Sequence, residues 1–216
     1  MAFAARHDEC AMSPPKSQYG ILSPLVLGDE VNFRLIYDGP LKAASQSSPR
    51  RIEKHKIRLA LDTQLTRLFY GDELLEHPFR FGDPEFEKYK RGRVSYWPIV
   101  RKSMHMVCDL DILFLRRGIP GRLISPQGDL DNRIKVLFDA LRVPADDNEV
   151  RGLEKTPRGI LCLLEDDNLI TGFRVTSDQL LEPAKDGTQH DVRLIVNVEI
   201  KLTRITKANI GYLRQF

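Results

Sequence analysis

GDLDNRIKVLFDAL, Gly128–Leu141, is the most informative stretch of this 216-residue chain. Ile134, Leu137, Phe138 and Leu141 fall at i, i+3, i+4 and i+7, the apolar stripe of an amphipathic helix. Asp131 reads as its N-cap, where a carboxylate accepts hydrogen bonds from the unsatisfied amides of the first turn. Asp129 lies two residues earlier, so in an extended segment the two side chains project to the same side. A converging carboxylate pair is relieved by a proton or by a cation between its members. A hard divalent ion such as Mg²⁺ suits one or two carboxylates completed by water and phosphate oxygens. Lys135 and Asp139 continue the row from Asp131, and Lys135 would hold a phosphate oxygen. A plainer reading stays open: Asp131 only caps, Asp129 only turns, and Lys135 only pairs with Asp131 or Asp139.

Outward from this helix, hydrophobic periodicity marks the other elements. SMHMVCDLDILFLR (Ser103–Arg116) sets Cys108, Leu110, Ile112 and Phe114 against Asp109, Asp111, Leu113 and Leu115, a central strand. GILCLLEDD (Gly159–Asp167) is an apolar run ending in carboxylates. Charge at the end of a buried strand is costly unless it has a partner or a task. NLITGFRVT leads into another strand, and DVRLIVNVEIKLTR alternates cleanly through Val192, Leu194, Val196, Val198, Ile200 and Leu202. Toward the N-terminus, VNFRLIYDG (Val31–Gly39) is a strand ending in a turn. RRIEKHKIRLALDTQLTRLF is a helix with Ile57, Leu61, Leu65 and Leu68 on one face. The fold class expected is α/β (α+β): a mixed sheet of about four strands carrying two main helices. Residues 1–28 read as an N-terminal extension to a domain over 29–216, with insertions near 71–100 and 142–158. The first insertion reads as irregular with one short helix, the second as an exposed polar loop.

Composition is that of a globular domain, 42% hydrophobic and 29% charged. No apolar run reaches the roughly 20 residues of a membrane helix, and the N-terminus lacks a secretory pattern. Cys10, Cys108 and Cys162 are widely spaced, which argues against a disulfide framework or a zinc site and for a cytoplasmic protein. Residues 41–125 carry 17 Lys+Arg against 10 Asp+Glu, whereas residues 126–191 carry 8 against 14. The basic clusters RRIEKHKIR, KYKRGR and RRGIPGR are what phosphate-backbone binding requires. Solvated surface is the bland alternative for each. Arg50, Arg51, Lys54, Lys56, Arg116, Arg117 and Arg122 are the candidate nucleic-acid contacts. No two histidines have ligand spacing, and His55 reads as a surface residue. Tyr96 and Trp97 would either stack on unpaired bases or pack in a core.

DLDNRIKVLFDAL followed by EDDNLITGFRV resembles the RusA-like Holliday junction resolvases. The flanking order of strand, helix, strand, basic loop and final strand fits as well. The resemblance covers about residues 31–69 and 103–202 and is specific only in the DLDN block. It implies a homodimeric endonuclease of DNA recombination and repair that cuts branched DNA with Mg²⁺ or Mn²⁺. It places Asp129, Asp131 and Asp167 on the metal, with Asp166 beside them and Lys135 at the scissile phosphate. The chain is longer than compact family members, and SPQG stands where an arginine-rich run can precede DLDN. Asp147, in ADDNEV, is the rival third ligand. Asp167 is preferred because a buried run precedes it and a strand follows, whereas Asp147 sits in a polar loop. A RusA-fold protein that binds nucleic acid without cutting is the alternative function.

Overall fold

The computed structural model describes residues 31–42, 50–70, 88–117, 130–153, 159–182 and 187–209. In chain order the elements are β1 (Val31–Pro40), α1 (Arg50–Tyr70), β2 (Lys90–Arg91), β3 (Val94–Val100), β4 (Met106–Arg116), α2 (Leu130–Leu141), α3 (Asp147–Val150), β5 (Ile160–Leu164), β6 (Ile170–Gln179) and β7 (Asp191–Leu202). Single 3₁₀ turns, Lys102–Met104 and Asp167–Leu169, precede β4 and β6. The class is α+β. One mixed sheet has the order β1-β7-β4-β6, and a smaller one has the order β2-β3-β5.

Strict alternation builds the larger sheet. Leu35 and Tyr37 of β1, Cys108 to Phe114 of β4 and Val192 to Ile200 of β7 point to one buried face. The intervening polar residues face the other way, as period-two side chains must. β7 is antiparallel to β1 and β4, while β4 and β6 run parallel. α1 and α2 cover the buried face. Ile57, Leu61 and Leu65 of α1 meet Ile134, Leu137 and Leu141 of α2 in one core with the strands.

Two side chains of α1 also close sheet edges. Gln64 bonds both the amide (2.8 Å) and the carbonyl (2.6 Å) of Ile36 on β1. Asp62 accepts the Leu161 amide of β5 at 2.8 Å.

The two sheets meet at a seam. β3 passes into β4, and β5 into β6, each through its 3₁₀ turn. The seam is tied by Glu165 N–H to the Val100 carbonyl and by Lys102 N–H to Glu165 Oε2. A register shift at Cys108/Asp109 of β4 marks the same place, as expected where a strand bends.

Lys90–Arg91 and Val94–Val100 of the expected irregular insertion are instead strand. Tyr96 and Trp97 are buried in β3 and unavailable to stack on bases. The expected loop over 142–158 contains α3. His55 is buried, not on the surface.

Candidate functional site

The wholly buried β5 delivers Glu165, Asp166 and Asp167 to the seam. Glu165 is spent on the Lys102 amide. Asp166 caps the following turn, accepting the Asn168 amide at 3.0 Å. Asp167 lies against Asp166. Partial burial raises its pKa above the ordinary aspartate value. The hydrogen bond and charge of Asp166 add to that, Arg142 opposes it and Asp139 reinforces it. Two solvent-facing carboxylates side by side form an oxygen donor pair of the kind that a proton or a hard cation relieves.

Asp131 does not cap α2. The helix begins at Leu130 and Asp131 stands in its first turn. Asp131 and Lys135 form an open i,i+4 pair at 3.5 Å, their side chains 64% and 72% exposed. Such a pair contributes only about 0.2–0.5 kcal/mol to the helix and leaves both groups accessible. Asp129 and Arg122 lie outside the described residues.

α2 runs antiparallel to β6. Its C-terminal end meets the seam, where Arg142 bridges to Leu164 and Phe138 packs edge-on to Phe173 with centroids 5.3 Å apart. At its other end Arg133 lies beside Arg116 and His190. Burial, then the neighbouring Arg116 charge, lowers the Arg133 pKa. Asp167 therefore neighbours Asp139, and Asp131 lies roughly 12 Å further along the helix axis. Asp131 and Asp167 thus lie toward opposite ends of α2. Oxygens sharing one Mg²⁺ lie no more than about 4.2 Å apart. Among the described residues, no group of three or more His, Cys, Asp and Glu side chains could hold a metal.

Asp147, the rival ligand, accepts the Gly92 amide at 2.9 Å, pinning the β2–β3 turn to α3. Asp109 sits on the sheet face away from α2. It accepts hydrogen bonds from Lys201 and Thr171, the Lys201 bond being the main cause of its lowered pKa.

The basic residues divide in two. Arg50, Arg51 and Lys56 are exposed along α1 and Arg117 is half-buried. Arg116 is buried on the core face of β4, so it is no surface contact. Lys54, 12% exposed, pairs with Glu149 at 3.0 Å and Asp139 at 3.5 Å, which removes it from the solvated face. Buried Arg58 donates to the Asp139 carbonyl at 2.9 Å and reaches Glu149 at 3.4 Å. Arg142 pairs with Asp139 at 2.7 Å. Burial pushes Glu149 upward, but the Ala145 amide, Lys54 and Arg58 outweigh it and hold its pKa below the usual glutamate value. This network joins α1, α2 and α3 directly behind Asp167. Its sequence signal is Lys54, Arg58 and Asp62 at i, i+4 and i+8, a polar stripe beside the apolar one.

Comparison with protein-family models, with curated proteins and with solved structures returned no match.

Proposed function

We propose that this chain is a Mg²⁺- or Mn²⁺-dependent endonuclease acting on branched DNA as a homodimer, as the DLDN resemblance implies. The observation that carries the reading is the Asp166–Asp167 pair, delivered by a buried strand to an open seam beside basic side chains. Asp166 and Asp167 of one chain, with Asp131 and Asp129 supplied by its partner, would hold the ion. Bound there, the ion would polarise the phosphodiester as a Lewis acid. Lys135 would orient a phosphate oxygen at the Asp131 end of α2, and the Lys54–Arg58–Glu149–Asp139–Arg142 network would fix the backbone behind Asp167.

The separation of Asp131 from Asp167 favours a dimer, and so does β6. Its far edge faces no further strand among the described residues, and Phe173 on it is 60% exposed. Pairing two copies antiparallel about Thr176 sets Arg174 opposite the partner's Asp178, twice over by symmetry. It also lays the two α2 helices side by side in opposite directions. The Asp131 end of one then meets the Asp167 end of the other.

The test is incubation with a synthetic four-way junction and with linear duplex, in Mg²⁺, Mn²⁺ or EDTA. Metal-dependent nicking of the junction, lost in both Asp131→Asn and Asp167→Asn, is expected. Binding without cleavage across divalent ions would favour the non-cutting alternative.

A further inference from the structure

The basic cluster KYKRGR has no role in the reading above, yet it folds against the same carboxylates. Lys88 to Val94 form the β2–β3 hairpin and the residues leading into it. Between them and the seam lies a cleft of about 320 Å³, lined by Lys88, Tyr89, Arg91, Lys102, Asp166 and Asn168 among others. That is at the lower end of ligand-pocket volumes, about 300–1,000 Å³.

The hairpin is rigidly held. Arg91 Nε donates to the Pro144 carbonyl at 2.8 Å, and its Nη1 to the carbonyls of Lys88 (2.8 Å) and Lys90 (2.9 Å). The Gly92 amide donates to Asp147, and the Tyr89 side chain is buried. Arg91 is thus consumed in building the cleft, and Lys88 and Lys102 carry its ammonium charge. Lys88 lies over the Tyr89 ring, 4.7 Å from its centroid, and only 3.8 Å from Glu165 Oε1. At that separation, with the Lys88 side chain half exposed, the pair contributes modestly to stability. Lys88 and Lys102 thus line the cleft together with Glu165 and Asp166, and an anion bound there would compete with Glu165 for Lys88.

We propose that this cleft binds the phosphodiester backbone of the nucleic-acid strand beside the candidate scissile phosphate, with Lys88 and Lys102 as its contacts and the Arg91-anchored hairpin as its wall. The inference rests on the endonuclease reading and assigns that site a substrate-positioning arm.

The experiment measures the Kd of the full chain for a synthetic four-way DNA junction in EDTA across a salt series. The proteins compared are wild type, Lys88→Ala/Lys102→Ala and Lys88→Arg/Lys102→Arg. Removing one cation that neutralises a DNA phosphate lowers the slope of log K against log salt by about 1. The alanine pair should therefore lower the slope by about 2 and weaken binding at low salt. The arginine pair should retain the wild-type slope, and thermal melting should be unchanged in both. A wild-type slope in the alanine pair, with tight wild-type binding, overturns this inference and leaves the endonuclease reading standing. No junction binding by wild type at low salt overturns both.

Discussion

If the candidate metal site is composite, two inactive variants should restore each other. Asp131→Asn removes a carboxylate from the N-terminal end of α2, and Asp167→Asn removes one from the seam. In a symmetric dimer each site would take Asp131 from one chain and Asp167 from the other. Mixing the two variants therefore yields mixed dimers in which one site carries both substitutions and the other carries none. Random exchange of equal amounts makes about half of all dimers mixed. Each has one intact site of two, so about a quarter of the wild-type nicking capacity returns. The product is also distinctive: a dimer with one live site nicks a junction but does not make the paired cuts. The assay is denaturing electrophoresis of a labelled four-way junction, with heterodimer content measured by native mass spectrometry. If mixed dimers are present and nicking stays at the level of either parent, each site is built within one chain and the composite arrangement is wrong.

Glu149→Gln leaves Lys54 and Arg58 facing an uncharged group and should cost about 3–5 kcal/mol, the range for breaking a buried pair. Because the Glu149 pKa is depressed, its stabilisation is full above the unfolded-state glutamate pKa of about 4.3 and disappears as pH falls through the folded-state value. Urea titrations should thus show a gap from wild type that is widest near neutrality and narrows in acid; a constant gap would contradict the ionic account. Gly159 has φ +82°, and a Cβ there would strike the Trp97 indole nitrogen and sit 2.8 Å from the Ser95 carbonyl oxygen. Gly159→Ala should lower stability by about 1–3 kcal/mol, read from the urea midpoint. Arg174→Asp and Asp178→Arg should each weaken the dimer roughly tenfold, and their combination should recover it. Sedimentation equilibrium decides this, and indifference to the single changes would move the interface away from β6.

Legibility follows the physics of each segment. β1, β4 and β7 each have one buried and one solvated face, so their alternation is plain in the sequence. α2 is plain because its apolar stripe is narrow. β3 is hidden because VSYWPIV is buried almost continuously and contains Pro98, which usually argues against a strand; it is tolerated because β2 pairs only with Val94 and Ser95, leaving β5 alone beside Pro98. Lys54 and Arg58 resemble a phosphate-binding face because their carboxylate partners lie about a hundred residues away in sequence, where local pattern says nothing. The cluster EDD stands out because an apolar run leads into it. Its distance from Asp131 does not, since that depends on how α2 lies along β6, which only tertiary packing decides.

Asp62 and Gln64 stand two residues apart on α1, yet one seals β5 and the other seals β1. An unsealed strand margin recruits other chains indiscriminately, which is how soluble proteins begin to aggregate. One helix therefore acts as a selvedge for one margin of each sheet, and of the two margins it does not reach, two-residue β2 and ten-residue β6, the latter offers the longer backbone edge to another chain.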